Sequence, residues 1–206
     1  MKETKNDFVL IRGLYLGVFF SLFPLIDLFF GENMSLKSYF LIFYAFWFFI
    51  TVYLISFFGK ENRKYHDLFD FKRAFKVMFL ISAIGLSLLT ITRITLWNVL
   101  YPEIYIQLNE ERDTTLAASA IGYAQSSLDE AYKEGSLSDD EYEESSVMFF
   151  NQEDQAKKMI NKKWNSIKEE GVSKSFFISQ LIYNLFFISV LNAVLALIIR
   201  RKQENI

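Results

Sequence analysis

Two charged residues stand inside long apolar runs. Asp27 lies three residues before the end of the run 8–30, and Arg93 lies seven before the end of the run 77–100. At ~1.5 Å rise per residue these are depths of about 5 and 10 Å. A charge at the centre of a membrane helix costs roughly 2.5–3.5 kcal/mol, so such groups face a bundle interior or a water-filled cavity, or reach for the interface. Gln180, Tyr183 and Asn184 share one face of the run 176–199 at a similar depth. An acid, a base and two amides at one level could build a polar pocket around an Asp27–Arg93 pair, opening to one side of the membrane. In the competing arrangement both charges snorkel to the interface and the amides hold helices together, and that is the commoner outcome.

Other chemistries find no residues. The chain has no Cys, which excludes disulfides, iron–sulfur clusters and thiol catalysis, and a single His, which excludes a poly-His metal site. His66 beside Asp67 could pass a proton, but a lone loop His is more often inert. It also cannot complete a Ser–His–Asp set on the opposite side of a membrane. The acids at 139–144 lack the glycine and ligand spacing of a calcium loop and read as a solvated helix start. The run 38–58 is uncharged and aromatic, with Phe40, Phe43, Phe46, Trp47, Phe48, Phe49, Phe57 and Phe58. No ligating residue accompanies the rings, so a cofactor is not expected. Neither catalysis nor nucleic-acid binding is expected of this sequence.

The elements that must position these groups are helices. Four apolar runs, 8–30, 38–58, 77–100 and 176–199, are each long enough to cross a hydrocarbon layer of about 30 Å. The first is expected to be an uncleaved span, given its length, Asp27 and the lack of a small-residue cleavage site. Gly13, Gly17 and Ser21 form a small-residue stripe along it, and Pro24 is expected to kink it. The polar stretch 60–76 carries Lys60, Arg63, Lys64, Lys72, Arg73 and Lys76 against Glu61, Asp67 and Asp70. The tail carries Arg200, Arg201 and Lys202. Basic short loops stay in the cytoplasm. Stretch 60–76 and both termini are therefore expected inside, in a bacterial inner membrane, and the acidic segment 101–175 outside. The basic loop suits orientation and anionic-lipid contact.

That outer segment reads as an αα-hairpin. One helix covers 103–134 with Ile121, Ala124, Leu128 and Ala131 along a stripe, and Gly135 breaks it. Ser138 and Glu141 match a capping box that opens a second helix, bent near Asn151 and carrying Ala156, Ile160, Trp164 and Ile167. The fold class is an all-α membrane protein of four spans with an extracytoplasmic helical hairpin between the third and fourth.

The phrase Phe71-Lys72-Arg73-Ala74-Phe75-Lys76-Val77, the Tyr101-Pro102-Glu103 step and the ending Ile199-Arg200-Arg201-Lys202 resemble an uncharacterised four-span bacterial membrane family, a domain of unknown function common in Bacteroidota. The resemblance covers the layout of nearly the whole chain and is sharpest around the basic stretch. It brings no catalytic residues. It implies a gene-order association with polyprenyl-phosphate sugar transferases, hence a pointer to such an enzyme as a partner.

The function expected from all this is a non-catalytic membrane subunit that docks another membrane protein, or self-associates, among membrane lipids. A small transporter or channel using the Asp27–Arg93 region is the alternative. Against it stands the lack of inverted repeats or broken spans.

Overall fold

A computed structural model describes residues 5–65 and 69–200, which include no strand. Helix α1 is Lys5–Phe30 and contains Pro24 without interruption. Helix α2 (Leu36–Phe40) passes through a π-helical stretch, Leu41–Phe46, into α3 (Trp47–Asn62). Helix α4 (Phe71–Arg93) ends in a second π-helical stretch, Ile94–Leu100. Then come α5 (Pro102–Lys133), α6 (Asp139–Glu170) and α7 (Lys174–Ile199). Helix α6 is continuous through Asn151.

The basic stretch is not one loop. Lys60 belongs to α3, Arg63 and Lys64 to a 3₁₀ turn, and Lys72, Arg73 and Lys76 to the first turns of α4. The cause is Asp70. Its carboxylate accepts a 2.8 Å hydrogen bond from the Arg73 backbone N–H and starts the helix six residues before the apolar run begins. His66, Asp67, Arg201 and Lys202 lie outside the described residues.

The chain divides into two compact units, residues 1–100 with 173–206, and residues 101–172. In the first, α4 is the central helix, packed along α1 and α7. Small residues on α1 permit the approach. A Cβ built on Gly13 would stand 2.7 Å from the Ile84 Cβ, and one on Gly17 would stand 2.8 Å from the Leu88 Cβ and 3.3 Å from the Gly85 Cα. One turn further on, the Ser21 and Thr92 hydroxyls share a 2.9 Å hydrogen bond. On the other side of α4, the Asn192 amide donates to the Ser82 hydroxyl at 3.2 Å, both groups being fully buried. Leu16, Ile55, Met78, Ile81 and Ala196 fill the core between.

Helix α3 joins this core chiefly through its C-terminal half. Ile55, Phe58 and Gly59 are buried, and a Cβ on Gly59 would meet Met78 and Ile199. At that end the Arg12 guanidinium grips Glu61 with two hydrogen bonds of 3.0 and 2.9 Å and lies 4.8 Å from the centroid of the Phe8 ring. Such a fork adds direction as well as charge. The other half of the second span is less buried, with Phe40, Leu41, Phe46 and Phe49 exposed, and touches α1 through Trp47.

The second unit is the hairpin of α5 and α6. Leu108 and Trp164 are buried in it, and Ile121, Leu128, Ile160 and Ile167 are half-buried along the expected stripes. Trp164 donates its indole N–H to Asp113 at 3.0 Å, and Asp113 also receives Lys163 at 2.6 Å. At the turn the Tyr132 and Tyr142 rings stack at 4.4 Å, and their hydroxyls cross. Tyr132 donates to Asp139 on the opposite helix, and Tyr142 donates to Asp129, each at 2.8 Å. These carboxylates hold both phenols above the ordinary tyrosine range.

The capping box forms as the sequence predicts. Ser138 receives the Glu141 N–H at 3.4 Å and gives its own N–H to the Glu141 carboxylate at 2.9 Å. That backbone N–H, and after it the Ser138 hydroxyl, hold the Glu141 carboxyl below its ordinary value. A depressed folded value stabilises the helix start fully above the ordinary carboxylate range, and the contribution disappears as pH falls through the lower folded value. The first turn of α6 should therefore lose amide-exchange protection in acid, and Glu141→Gln should flatten that dependence. Identical pH profiles for the two proteins would contradict this role.

Candidate functional site

The reluctance of the second span to pack along its whole length leaves a cavity of about 480 Å³ in the membrane unit. Its floor is apolar: Leu86 and Leu89 from α4, Leu191 from α7, with Thr51 from α3. Phe20 and Phe23 of α1 and Trp47 form one wall. Trp47 is braced there by stacking on Phe19 at 4.3 Å and meeting Phe23 edge-on at 6.0 Å. The rim is Tyr44, Phe48 and Phe187, which are 59%, 53% and 68% exposed although they line the cavity. The opening therefore faces sideways, towards whatever surrounds the bundle.

Polar groups gather at one end. Arg93, half-buried, donates to Gln180 Oε1 at 2.9 Å and lies 5.2 Å from the centroid of the Phe23 ring. Asn184, one turn beyond Gln180, lines the cavity with Arg93. Among the described residues that line it, Arg93 alone is charged. Both π-helical stretches flank this end, one supplying Tyr44 and the other following directly on Arg93. Segments of this kind recur at functional sites because they re-aim side chains against the regular helix period.

The five residues singled out in the sequence are thus placed differently from one another. Arg93, Gln180 and Asn184 come together. Tyr183 points away, 68% exposed on the outer surface of α7, because it falls 60° or more off the stripe that Gln180 and Asn184 share. Asp27 is buried one turn past Phe23 on the same face of α1. The threonines of α4 and of the π-helical stretch after it are largely satisfied within the same span: Thr90, Thr92 and Thr95 return their hydroxyls to the carbonyls four residues back. Sequence reasoning passed over Arg12 and Glu61, although Arg12 is a charge inside an apolar run, the same signal that marked Arg93. The aromatic walls of the cavity left no signal, since Phe residues occur all round the second span.

Among the described residues no group of three or more acids or histidines could hold a metal ion. Among the described residues four helices, Asn6–Asn33, Lys37–Tyr65, Phe71–Leu100 and Lys174–Ile199, are long and apolar enough to cross a membrane, and by that measure the chain is a multi-pass helical membrane protein. More particularly, it belongs to the family described as protein of unknown function (DUF4199), whose model matches residues 12–201. No curated protein and no solved structure matches it.

Proposed function

We propose that the protein is a non-catalytic subunit of the bacterial inner membrane whose hairpin stands outside the cytoplasm and docks a partner membrane protein. The observation that carries this reading is on α6. Val147, Met148 and Phe150 stay 56%, 50% and 72% exposed within four residues of one another, although the opposite face of the helix is used against α5. Clustered exposed apolar groups on an otherwise charged helix suit an interface with another chain. The sidedness is supported by Lys60, Arg63, Lys64, Lys72, Arg73 and Lys76 at the opposite end of the second and third spans. Transport is supported less well, since the cavity opens sideways instead of along the bundle.

The absence of Cys makes a clean test possible. Ser136→Cys should react with a membrane-impermeant maleimide in intact spheroplasts, and Lys64→Cys only after lysis. A photo-crosslinking residue at Phe150 should then yield one discrete adduct, and one at the exposed Glu130 none. An adduct of twice the chain mass would identify a second copy as the partner. Protection of Ser136→Cys in intact spheroplasts would refute the sidedness, and equal crosslinking at Phe150 and Glu130 would refute the docking face.

A further inference from the structure

We propose that the cavity between the four spans is a binding site for a neutral, membrane-dissolved molecule whose flat conjugated head carries carbonyl oxygens, the chemistry of an isoprenoid quinone. Thr51 and Asn184 donate to the carbonyls, and the aromatic walls receive the ring. This goes beyond the docking reading and does not depend on it.

Two polar side chains decide the class of ligand. Thr51, 7% exposed, lines the cavity from α3, and Asn184 lines it from α7. Among the described residues neither side chain has a hydrogen-bond partner. The Thr51 hydroxyl thus differs from those of Thr90, Thr92 and Thr95, which are returned to carbonyls of their own span. Thr51 stands midway along Lys37–Tyr65, and Asn184 lies about 4 Å from the midpoint of Lys174–Ile199. At that depth no bulk water reaches a polar group, and one left unmatched is penalised. The Asn184 amide N–H and the Thr51 O–H can each donate to a carbonyl oxygen. Arg93 is not required, being engaged by Gln180 and the Phe23 ring at the polar end.

Depth argues for a neutral ligand. Counting ~1.5 Å per residue from the Lys174 end of α7, Leu191 lies about 25 Å deep, so the cavity runs past the middle of a layer of about 30 Å. A phospholipid is tied by its head to one interface, whereas a neutral lipophile has no such tie. Thr51 and Asn184 are themselves uncharged, and an ionised head brought to their level would be costly.

The walls argue for a flat head. Phe20, Phe23, Trp47, Phe48 and Phe187 all line the cavity. Ring faces and edges pair well with another π system. Trp47 is held in place by its stacking on Phe19, so the ligand does not have to create the space it fills. The volume of about 480 Å³ lies within the ~300–1,000 Å³ typical of small-molecule sites. The exposed rim of Tyr44, Phe48 and Phe187 lets the ligand enter from the bilayer and lets its tail remain there.

The test is equilibrium binding to the full chain in phosphatidylcholine nanodiscs. The probe is a tritiated naphthoquinone with a two-unit isoprenoid tail. The competitors are the unlabelled quinone, a naphthalene with the same tail, and the isoprenoid alcohol. The naphthalene keeps the ring and lacks the carbonyls, and the alcohol lacks both. Binding should saturate at one probe per chain. The unlabelled quinone should displace it at concentrations about tenfold or more below those of either competitor, as two hydrogen bonds require.

Thr51→Val and Asn184→Leu should each weaken the quinone about 2–10-fold, the net worth of one hydrogen bond. Neither should weaken the naphthalene, and together they should abolish the preference. Thr51→Ser keeps the hydroxyl and should keep the affinity. Because these side chains hold no partner in the fold, the thermal midpoints of the variants should match that of the parent. Absence of saturable binding in the parent would overturn the proposal. So would equal displacement by quinone and naphthalene, displacement by the alcohol as effective as by the quinone, or a quinone preference that survives the double variant.

Discussion

Gly17→Val is expected to destabilise the membrane unit more than any other single change in α1. The added Cβ would fall 2.8 Å from the Leu88 Cβ and 3.3 Å from the Gly85 Cα. A Cβ is fixed by its backbone as firmly as a Cα, so neither neighbour can move without shifting α4 away from α1. Overpacking of this kind costs about 1–3 kcal/mol, and more where backbone must separate. Because α4 also carries the contacts to α7, the loss propagates to the whole four-span unit. Thermal unfolding in detergent should show a large fall in midpoint, together with a fall in steady-state abundance in the membrane. Gly122→Ala is the matched control, since a Cβ there meets nothing within 4 Å. In an exposed helix interior that change should stabilise by about 0.4–1 kcal/mol. A Gly17→Val protein with the midpoint of the parent would show that α1 and α4 do not pack through this stripe.

Trp164→Ala should have a comparable effect confined to the hairpin. Trp164 is 2% exposed in a two-helix unit that otherwise buries little. Truncating a buried Trp costs about 3–5 kcal/mol. The indole N–H to Asp113 is lost with it, leaving that carboxylate to Lys163 alone. The result to look for is proteolytic nicking within α5 and α6 at protease concentrations that leave the parent intact, with the four spans still resistant. Trp164→Phe, which keeps most of the buried area and loses the N–H, should fall between. If Trp164→Ala resists protease as the parent does, the hairpin is held by something other than this contact.

The parts of this fold legible in the sequence are those written in a single segment. Four apolar lengths, the Gly135 break and the Ser138–Glu141 box each declare themselves within one helix or one turn. So does the Gly13, Gly17, Ser21 stripe, although only the structure shows that Ile84, Leu88 and Thr92 of α4 receive it. Features that need two distant segments were not legible. The Arg12–Glu61 fork spans 49 positions, and nothing in the periodicity of either residue names the other. The cavity is harder still, because it arises from a helix that does not close along its full length, and a gap has no sequence pattern. The start of α4 was missed for a different reason. Apolar content set the boundary at residue 77, whereas the backbone follows its cap at Asp70. Of the polar cluster, the amide spacing of Gln180 and Asn184 identified the right face, whereas Tyr183, expected on that same face, lies exposed off it.

The crossed tyrosines at the hairpin turn bear on the order of assembly during synthesis. Tyr132 reaches Asp139 over seven positions and Tyr142 reaches Asp129 over thirteen. Loops of about ten residues close within roughly 10–100 ns, and helices then grow at about nanoseconds per residue. Ribosomes add about 5–20 residues per second, so residues 129–142 can zip while most of α6 is still unmade. Each further turn of α6 then finds its partner turn on α5 already helical. The hairpin has an intrinsically low contact order and can be complete before α7 emerges. The four-span unit, by contrast, must wait for α7 to find α4 across more than seventy intervening residues. The slow step in making this protein therefore belongs to the fourth span.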